Sequence, residues 1–416
     1  MVRQTIFRRI LVLFSFSFNV LKPIGAIFCF LFCAHFAAAQ NWFFNKADSA
    51  DQHAYSKNGF LQIRYQHGGF LPSGDSGVQY IEKNPFDAID VRYGLIGYGR
   101  KKWHQLHHYP TFGLGVTKFF FRTKDNLLGN PFATYLFFNE SLAQFKKSKL
   151  AYDFDVGLSY GWKPYDPQSN PDQKVIGSSL NFIFMLGLQY EFKLNDRLEG
   201  SIGGNLNHMS NGRIRSPNRG VNQYAANVSL RYRIAPLKSK KRNGDLDFSP
   251  PTNIYHSIDT FRSMLEFYTV GSAGIVTTFK NINNQIYYLA SSLTVDVARH
   301  YRYNAKLGAG LDLFYDASLK EDYESQYPSG NVPSRLFYWP GVHVSHEYMV
   351  YRWTLITQAG LNLRVPKNKG IWYARFGLRY DVSKSIFLRA SVRLYQKFYS
   401  DFIEWGVGYS YYKFKR

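Results

Sequence analysis

Long segments of alternating residues are the feature that most constrains the fold of this chain. From Tyr152 to Trp162 the even positions are apolar or aromatic, whereas the odd positions include Asp153 and Asp155. The same alternation returns at 372–380 and 386–394, where the polar parity carries arginine. A period of two indicates β-strands. These segments are longer than soluble strands of about five or six residues, and they match the roughly 9 to 11 residues of a strand that crosses a bilayer.

The charged residues of the polar parity favour a membrane barrel over other all-β folds. In such a barrel the apolar face meets lipid and the charged face lines the interior, and aromatic residues at the strand ends form interfacial girdles. Trp162, Trp339, Trp372 and Trp405 fit such girdles. We therefore predict an all-β, antiparallel, transmembrane outer-membrane β-barrel of about 12 to 16 strands. The alternative is a secreted β-sandwich or propeller.

The N-terminus predicts export from the cytoplasm. Arg3, Arg8 and Arg9 precede an apolar stretch that ends in small residues before Gln40, which indicates a signal peptide at 1–40, with an uncleaved anchor as the alternative. Both cysteines of the chain, Cys29 and Cys33, lie within this segment. The mature chain would then contain no thiol, which excludes disulfides, thiol catalysis and cysteine-based metal sites.

Charge and composition bear on partners and domain organisation. The formal net charge of +22 favours anionic partners, and for an exported chain we expect an anionic lipid surface and not nucleic acid. We expect one barrel domain at 41–416. In it, 58–235 carries the site described next, 236–260 is a long basic loop and 261–416 adds further strands. The alternative is that the basic segment marks a boundary between two halves, but closure leaves no exposed sheet edge, so we expect one barrel with a long loop.

One pair of strands places polar residues where the alternation demands apolar ones. Leu206 lies on the even, lipid-facing parity of the first strand, and His208 and Ser210 continue that parity. Tyr224 lies on the corresponding parity of the next strand, together with Asn222. An unpaired polar group in hydrocarbon costs about 2 to 7 kcal/mol. We therefore expect these polar side chains to contact one another on the membrane side.

The residue types suggest nucleophilic catalysis. A serine hydroxyl becomes a nucleophile when an imidazole within hydrogen-bond reach accepts its proton, and His208 and Ser210 have the closest same-face spacing that a strand allows. The turn that follows offers oxyanion donors at Asn211, Gly212 and Asn218. By itself, a His-x-Ser pair is often a chance surface pair. A second pair, His343 and Ser345, lies on the interior parity and is expected to be structural or pore-lining.

The string HMSNGRIRSPNRGVN, residues 208–222, resembles the signature of the outer-membrane lipid A 3-O-deacylases, the acyloxyacyl hydrolase family. The resemblance implies an outer-membrane esterase that removes the 3-linked acyl chain from lipid A. It implies that His208 is the general base and Ser210 the nucleophile, and that Asn211, Gly212 and Asn218 lie at or near the oxyanion hole. Small members of the family are eight-stranded barrels with a glutamate where this chain has Asn222.

We therefore expect an outer-membrane serine esterase with lipopolysaccharide as its substrate, outer-membrane lipids around it, no nucleic-acid partner, no cofactor and no metal. Asn222 stands in the place of the acid. It either orients His208 at reduced efficiency or is replaced by a carboxylate elsewhere. The alternatives are a non-enzymatic outer-membrane barrel, as a pore or lipid-binding protein, and phospholipid hydrolysis at the same site.

Overall fold

The computed structural model describes residues 58–414, except 73–77, 100, 146, 236–260, 281, 284, 328 and 397–398. The expected signal peptide at 1–40 and the expected basic loop at 236–260 lie outside the described residues. All described residues belong to one contact unit.

The first eight strands form a closed antiparallel barrel, in which each strand pairs with the next along the chain and β8 pairs with β1. The strands are β1 (Gly59–Phe70), β2 (Pro85–Ile96), β3 (Thr111–Phe121), β4 (Gly129–Gln144), β5 (Ser148–Trp162), β6 (Leu180–Lys193), β7 (Leu198–Ser210) and β8 (Val221–Arg233).

The next eight strands form a second closed antiparallel barrel, which β16 closes by pairing with β9. The strands are β9 (Met264–Thr277), β10 (Tyr287–Arg302), β11 (Ala305–Asp316), β12 (Tyr338–Val350), β13 (Trp353–Asn362), β14 (Trp372–Asp381), β15 (Ile386–Tyr395) and β16 (Tyr399–Phe414).

The prediction of a single barrel is wrong, although the all-β antiparallel class is confirmed. β8 pairs with β1 from Phe60↔Arg233 to Phe70↔Gln223, so the first sheet has no free edge for β9. The described strands number sixteen in total, divided equally between the barrels. Each closure satisfies the backbone hydrogen bonds of its own edge strands, so a larger ring of strands is not needed to remove free edges.

Each barrel is apolar outside and charged inside. On β1, Leu61 and Ile63 are about half exposed on the outer face, whereas Arg64 is buried in the interior. Arg64 Nε donates to Asp90 at 2.8 Å, and Arg92 Nη2 donates to Asp155 at 2.6 Å. A large apolar outer surface requires a non-aqueous environment, so this inversion is typical of barrels that lie in a bilayer.

The second barrel is filled in the same way. Arg375 Nε donates to Glu404 at 2.5 Å, and the two ring nitrogens of His343 lie 2.7 and 2.8 Å from Asp312 and Asp296. The prediction that His343 and Ser345 face the interior is confirmed, since both are buried. An eight-stranded barrel has an interior just wide enough for side chains, and buried charges persist there because they are paired. These interior positions are therefore packed and do not favour the pore alternative.

Short helices occur only in connections among the described residues. They are α1 (Gln79–Glu82), α2 (Lys102–Leu106) and α3 (Leu319–Tyr323), with single 3-10 turns at Lys124–Asn126, Glu324–Gln326 and Ser334–Phe337. Within the described part of the chain, no helix is long and apolar enough to cross a membrane.

The two barrels lie side by side and contact each other at the end where β4 finishes and β5 begins. His107 Nε2 donates to the carbonyl of Met349 at 3.0 Å, and the Tyr348 hydroxyl donates to Glu140 at 2.7 Å. The histidine-rich segment around His107 is not a solvated loop, because His104 and His107 are buried, and His107 is part of the contact between the barrels.

Candidate active site

The candidate site lies at the opposite end of the first barrel, where β7 ends and β8 begins; we call this the site end. His208 on β7 lies directly opposite Asn222 on β8, and Ser210 is the last residue of β7. His208 is exposed on the same outer face as Ile202 and Leu206. The predicted outward side of His208 is therefore confirmed.

A chain of two hydrogen bonds joins the three predicted residues. His208 Nδ1 lies 2.6 Å from Asn222 Oδ1, and His208 Nε2 lies 2.9 Å from Ser210 Oγ. Because an amide oxygen only accepts, the proton of the neutral imidazole lies on Nδ1 and is donated to Asn222. Nε2 is then free to accept the proton of the Ser210 hydroxyl, which is the tautomer that activation of a serine requires.

Two neighbours pack closely around Ser210, which is only 7% exposed. Phe182 lies opposite Ser210 in the β6–β7 register. Gly220 has a φ of +71°, and a Cβ atom at this position would lie 3.0 Å from His208 Cε1 and 3.5 Å from the Cβ of Ser210. Only glycine satisfies both the left-handed backbone and the close approach to the imidazole.

The structure separates the three predicted oxyanion residues by their hydrogen bonds. The side-chain amide of Asn211 donates to Ser178 Oγ at 2.8 Å and to the carbonyl of Arg215 at 2.9 Å. The backbone N–H of Asn211 donates to Asn218 Oδ1 at 3.0 Å. Asn211 thus uses its donors to fix the turn at 211–220, which we call the site turn.

Asn218 and Gly212 retain donors. The amide nitrogen of Asn218 is buried and has no hydrogen-bond partner among the described residues, while its oxygen accepts from Asn211. The backbone N–H of Gly212 likewise has no partner within the described part of the chain. A buried donor without a partner costs free energy, so the Asn218 amide and the Gly212 N–H are suited to donate hydrogen bonds to an oxygen of a ligand.

The loop at 163–179, which no pattern in the sequence singles out, packs on the site turn. Ile176 forms an isolated β-bridge with Asn218, and the backbone N–H of Arg219 donates to the carbonyl of Val175 at 2.9 Å. Ser178, which accepts from Asn211, belongs to the same loop. No spacing in the sequence links these segments, because the contact is made between loops of different hairpins.

Metal binding has no visible basis in the described residues. Among them, no group of three or more His, Cys, Asp or Glu side chains could hold a metal ion.

Two protein-family models match the chain, one in each barrel. The model described as "Lipid A 3-O-deacylase (PagL)" matches residues 87–231, which span most of the first barrel and the whole site turn. The model described as "Acyloxyacyl hydrolase, C-terminal domain" matches residues 264–415, which span the second barrel. The first barrel belongs to the lipid A 3-O-deacylase family, and the second to the acyloxyacyl hydrolase C-terminal domain family. The resemblance noted in the string at 208–222 is therefore confirmed, and the family model for the C-terminal domain accounts for the second barrel.

Among solved structures, the outer-membrane enzyme PagL is 16% identical over 40% of this chain and 97% of its own, with a TM-score of 0.31. A Rhodopseudomonas blastica porin is 10% identical over 85% of this chain and 99% of its own, with a TM-score of 0.16. Pseudomonas aeruginosa OccK3 is 8% identical over 89% of this chain and 100% of its own, with a TM-score of 0.23. These TM-scores are too low for the likenesses to carry an argument. No curated protein matches the chain.

The fit of Gly220 against His208 predicts the effect of a single methyl group. We expect Gly220→Ala to slow the labelling of Ser210 by a fluorophosphonate about 10-fold or more, because the methyl group displaces the imidazole. Gly161→Ala is the control: Gly161 also has a positive φ, +83°, but a Cβ there meets only Pro131 at 3.9 Å. Equal labelling rates in both variants would show that the contact with His208 is irrelevant.

Proposed function

We propose that this chain is an outer-membrane serine esterase that removes the ester-linked 3-acyl chain from lipid A of lipopolysaccharide. Ser210 is the nucleophile, His208 the general base, and Asn222 the residue that orients the base. The observation that carries the proposal is the hydrogen-bond chain from Ser210 through His208 to Asn222 on an otherwise apolar outer face. Membership of the lipid A 3-O-deacylase family supports the substrate class.

The lengths of the connections support an extracellular location of the site end. In outer-membrane barrels the periplasmic turns are short and the extracellular loops are longer. The connections at the site end are mostly long, and those at the other end are mostly short turns, except 97–110, which contacts the second barrel, and 234–263, which joins the two barrels. The long ones include 163–179, 211–220, 278–286 and 317–337, and the short ones 145–147, 194–197, 303–304 and 351–352. Ser210 then lies at the outer leaflet, where lipopolysaccharide resides.

The mechanism follows the chemistry of a serine esterase. Ser210 Oγ attacks the acyl carbonyl while His208 Nε2 accepts its proton, and the tetrahedral oxyanion is stabilised by Asn218 Nδ2 and the Gly212 N–H. His208 returns the proton to the sugar oxygen, which leaves as the 3-hydroxyl of the glucosamine. Water, deprotonated by His208, then hydrolyses the acyl-Ser210 ester and releases the fatty acid. No cofactor takes part in these steps.

The first test measures released 3-hydroxy fatty acid by mass spectrometry after purified protein in detergent is incubated with lipopolysaccharide. We expect Ser210→Ala and His208→Ala to lose release by about 10⁴-fold or more, because each removes a member of the unit that activates the nucleophile. Ser345→Ala is the matched control from the interior His-x-Ser pair, and it should release fatty acid at the wild-type rate.

Other outcomes of the same test favour the alternative functions. Fatty acid released from phospholipid vesicles but not from lipopolysaccharide would identify a phospholipase at the same residues. No hydrolysis of either substrate, together with ion conductance in planar bilayers, would identify a pore and contradict the esterase.

The amide at Asn222 predicts a variant of higher activity. Asn222→Asp places a carboxylate oxygen where Asn222 Oδ1 now accepts from His208 Nδ1 at 2.6 Å. A carboxylate stabilises the imidazolium that forms during attack, and loss of that charge in serine proteases costs about 10⁴ in turnover, part of which reflects the wrong tautomer. Because the tautomer is already correct here, we expect kcat to rise by about 10-fold. Asn222→Ala, which removes the acceptor, should lower kcat. A decrease in kcat with Asn222→Asp would contradict the assigned role.

The amide nitrogen of Asn218, which has no partner among the described residues, predicts that replacing this asparagine by aspartate lowers kcat more than the same change elsewhere at the site end. Asn218→Asp retains the oxygen that accepts from Asn211 but replaces the donor by an anionic oxygen, so we expect kcat to fall about 10²- to 10³-fold, as for loss of an oxyanion donor. The matched control is Asn283→Asp, an exposed residue at the site end whose oxygen accepts from the Tyr165 hydroxyl. Similar kcat values for the two variants would remove Asn218 from the oxyanion hole.

A further inference from the structure

The second barrel contacts the site turn directly, and this contact has no role in the proposed chemistry so far. We propose that the second barrel contributes to the esterase site. Arg213 is the positioning residue through which the second barrel fixes the positions of the oxyanion donors. The inference rests on the proposed function, since it concerns the geometry of the same site.

The side chain of Arg213 inserts among three elements of the second barrel. Its Nε donates to the carbonyl of Thr277 at the end of β9 at 2.9 Å, and its Nη2 donates to Ser318 Oγ at 3.0 Å. Its Nη1 lies 3.4 Å from a carboxylate oxygen of Asp401 on β16, which is fully buried. The rigid fork of a guanidinium suits such a three-point contact.

The backbone of Arg213 is bound at the same place. The N–H of Thr277 donates to the carbonyl of Arg213 at 3.0 Å, so these two residues exchange two hydrogen bonds. The φ of Arg213 is +68°, in the left-handed region that non-glycine residues rarely adopt. The contacts with the second barrel therefore maintain a backbone conformation that the turn alone does not favour.

Gly212, the neighbouring oxyanion candidate, lies directly against the second barrel. A Cβ atom at Gly212 would lie 2.2 Å from the side chain of Ile403 on β16. Gly212, whose backbone N–H has no partner among the described residues, thus follows Ser210 by two residues and lies against the wall of the second barrel.

The far side of the site turn is bound as well. Gln285 Nε2 donates to the carbonyl of Ser216 at 2.8 Å, and the N–H of Ser216 donates to Gln285 Oε1 at 3.2 Å. The hydroxyls of Ser216 and Thr277 lie 2.9 Å apart. Asn218, whose amide nitrogen has no partner in the described part of the chain, follows two residues later. Both candidate oxyanion donors therefore adjoin residues that the second barrel fixes.

This contact is not needed to build either barrel, because β8 closes on β1 and β16 closes on β9 without it. An oxyanion hole is effective because its donors are fixed before the reaction, and a displacement of about 1 Å can cost 10²-fold in rate. The second barrel supplies that fixation in this chain.

The test measures kcat and KM for fatty-acid release from lipopolysaccharide. Arg213→Asn removes the three-point contact but suits the left-handed backbone, and we expect kcat to fall about 10²-fold with KM within about 3-fold of wild type. Arg213→Lys retains the charge and should recover part of kcat. Arg215→Asn is the control: it removes the same charge from the same turn, but the Arg215 side chain makes no hydrogen bond among the described residues, so kcat should stay within about 3-fold.

A double variant separates positioning from general damage. If Arg213 acts through the oxyanion donors, the variant with both Arg213→Asn and Asn218→Ala should be no more than about 3-fold slower than the slower single variant, because residues that act as a unit are not additive. Loss by an independent structural route would instead multiply the two effects. Gln285→Met, a change in a surface loop, provides a second route to the same turn and should lower kcat without raising KM.

The outcomes distinguish the two proposals. No release by the wild-type protein overturns the esterase and this inference with it. An active wild type in which Arg213→Asn and Gln285→Met leave kcat unchanged, or raise only KM, overturns this inference alone. Failure of Arg213→Asn to fold leaves Gln285→Met to decide by the same criterion.

Discussion

The inversion of polarity governs everything else in this structure. Charged side chains such as Arg64 and Arg375 are buried in the barrels and the outer face is apolar, so a polar residue on that face requires a partner. His208, Ser210 and Asn222 satisfy one another through two short hydrogen bonds on that face. The same bonds that make these residues tolerable beside lipid also fix the imidazole tautomer. In the proposed mechanism, the arrangement that stabilises the outer face therefore also activates the serine.

The strands were predictable from the sequence, whereas the closure was not. The period of two gave the class, the length of the strands and the outward side of His208, because these depend on local alternation. Whether β8 pairs with β1 or with β9 depends on contacts between residues far apart, and alternation is identical in both cases. The pairing Phe60↔Arg233 therefore had no signature in the pattern, and one ring of sixteen strands was as consistent with it as two of eight.

The site was predictable to the same depth. The His-x-Ser spacing and the opposed Asn222 required only that neighbouring strands pair, and the structure brings these residues together. The division among Asn211, Asn218 and Gly212 required knowledge of which donors are already used, and that depends on Ser178, from a different hairpin. The same limit explains why Arg213 was not singled out: its partners lie in the second barrel, more than sixty residues along the chain at the nearest.

The second barrel also accounts for polar groups that a single barrel would have to satisfy otherwise. The carbonyl of Arg213 and both backbone groups of Ser216 are bonded to Thr277 and Gln285. Without the second barrel these groups would require water or other loops, and a hydrated turn is a poorer oxyanion hole because solvent must reorganise as charge develops. A weak third residue such as Asn222 makes that rigidity more valuable, since less of the barrier is lowered by stabilising the imidazolium and more must come from the donors of the turn.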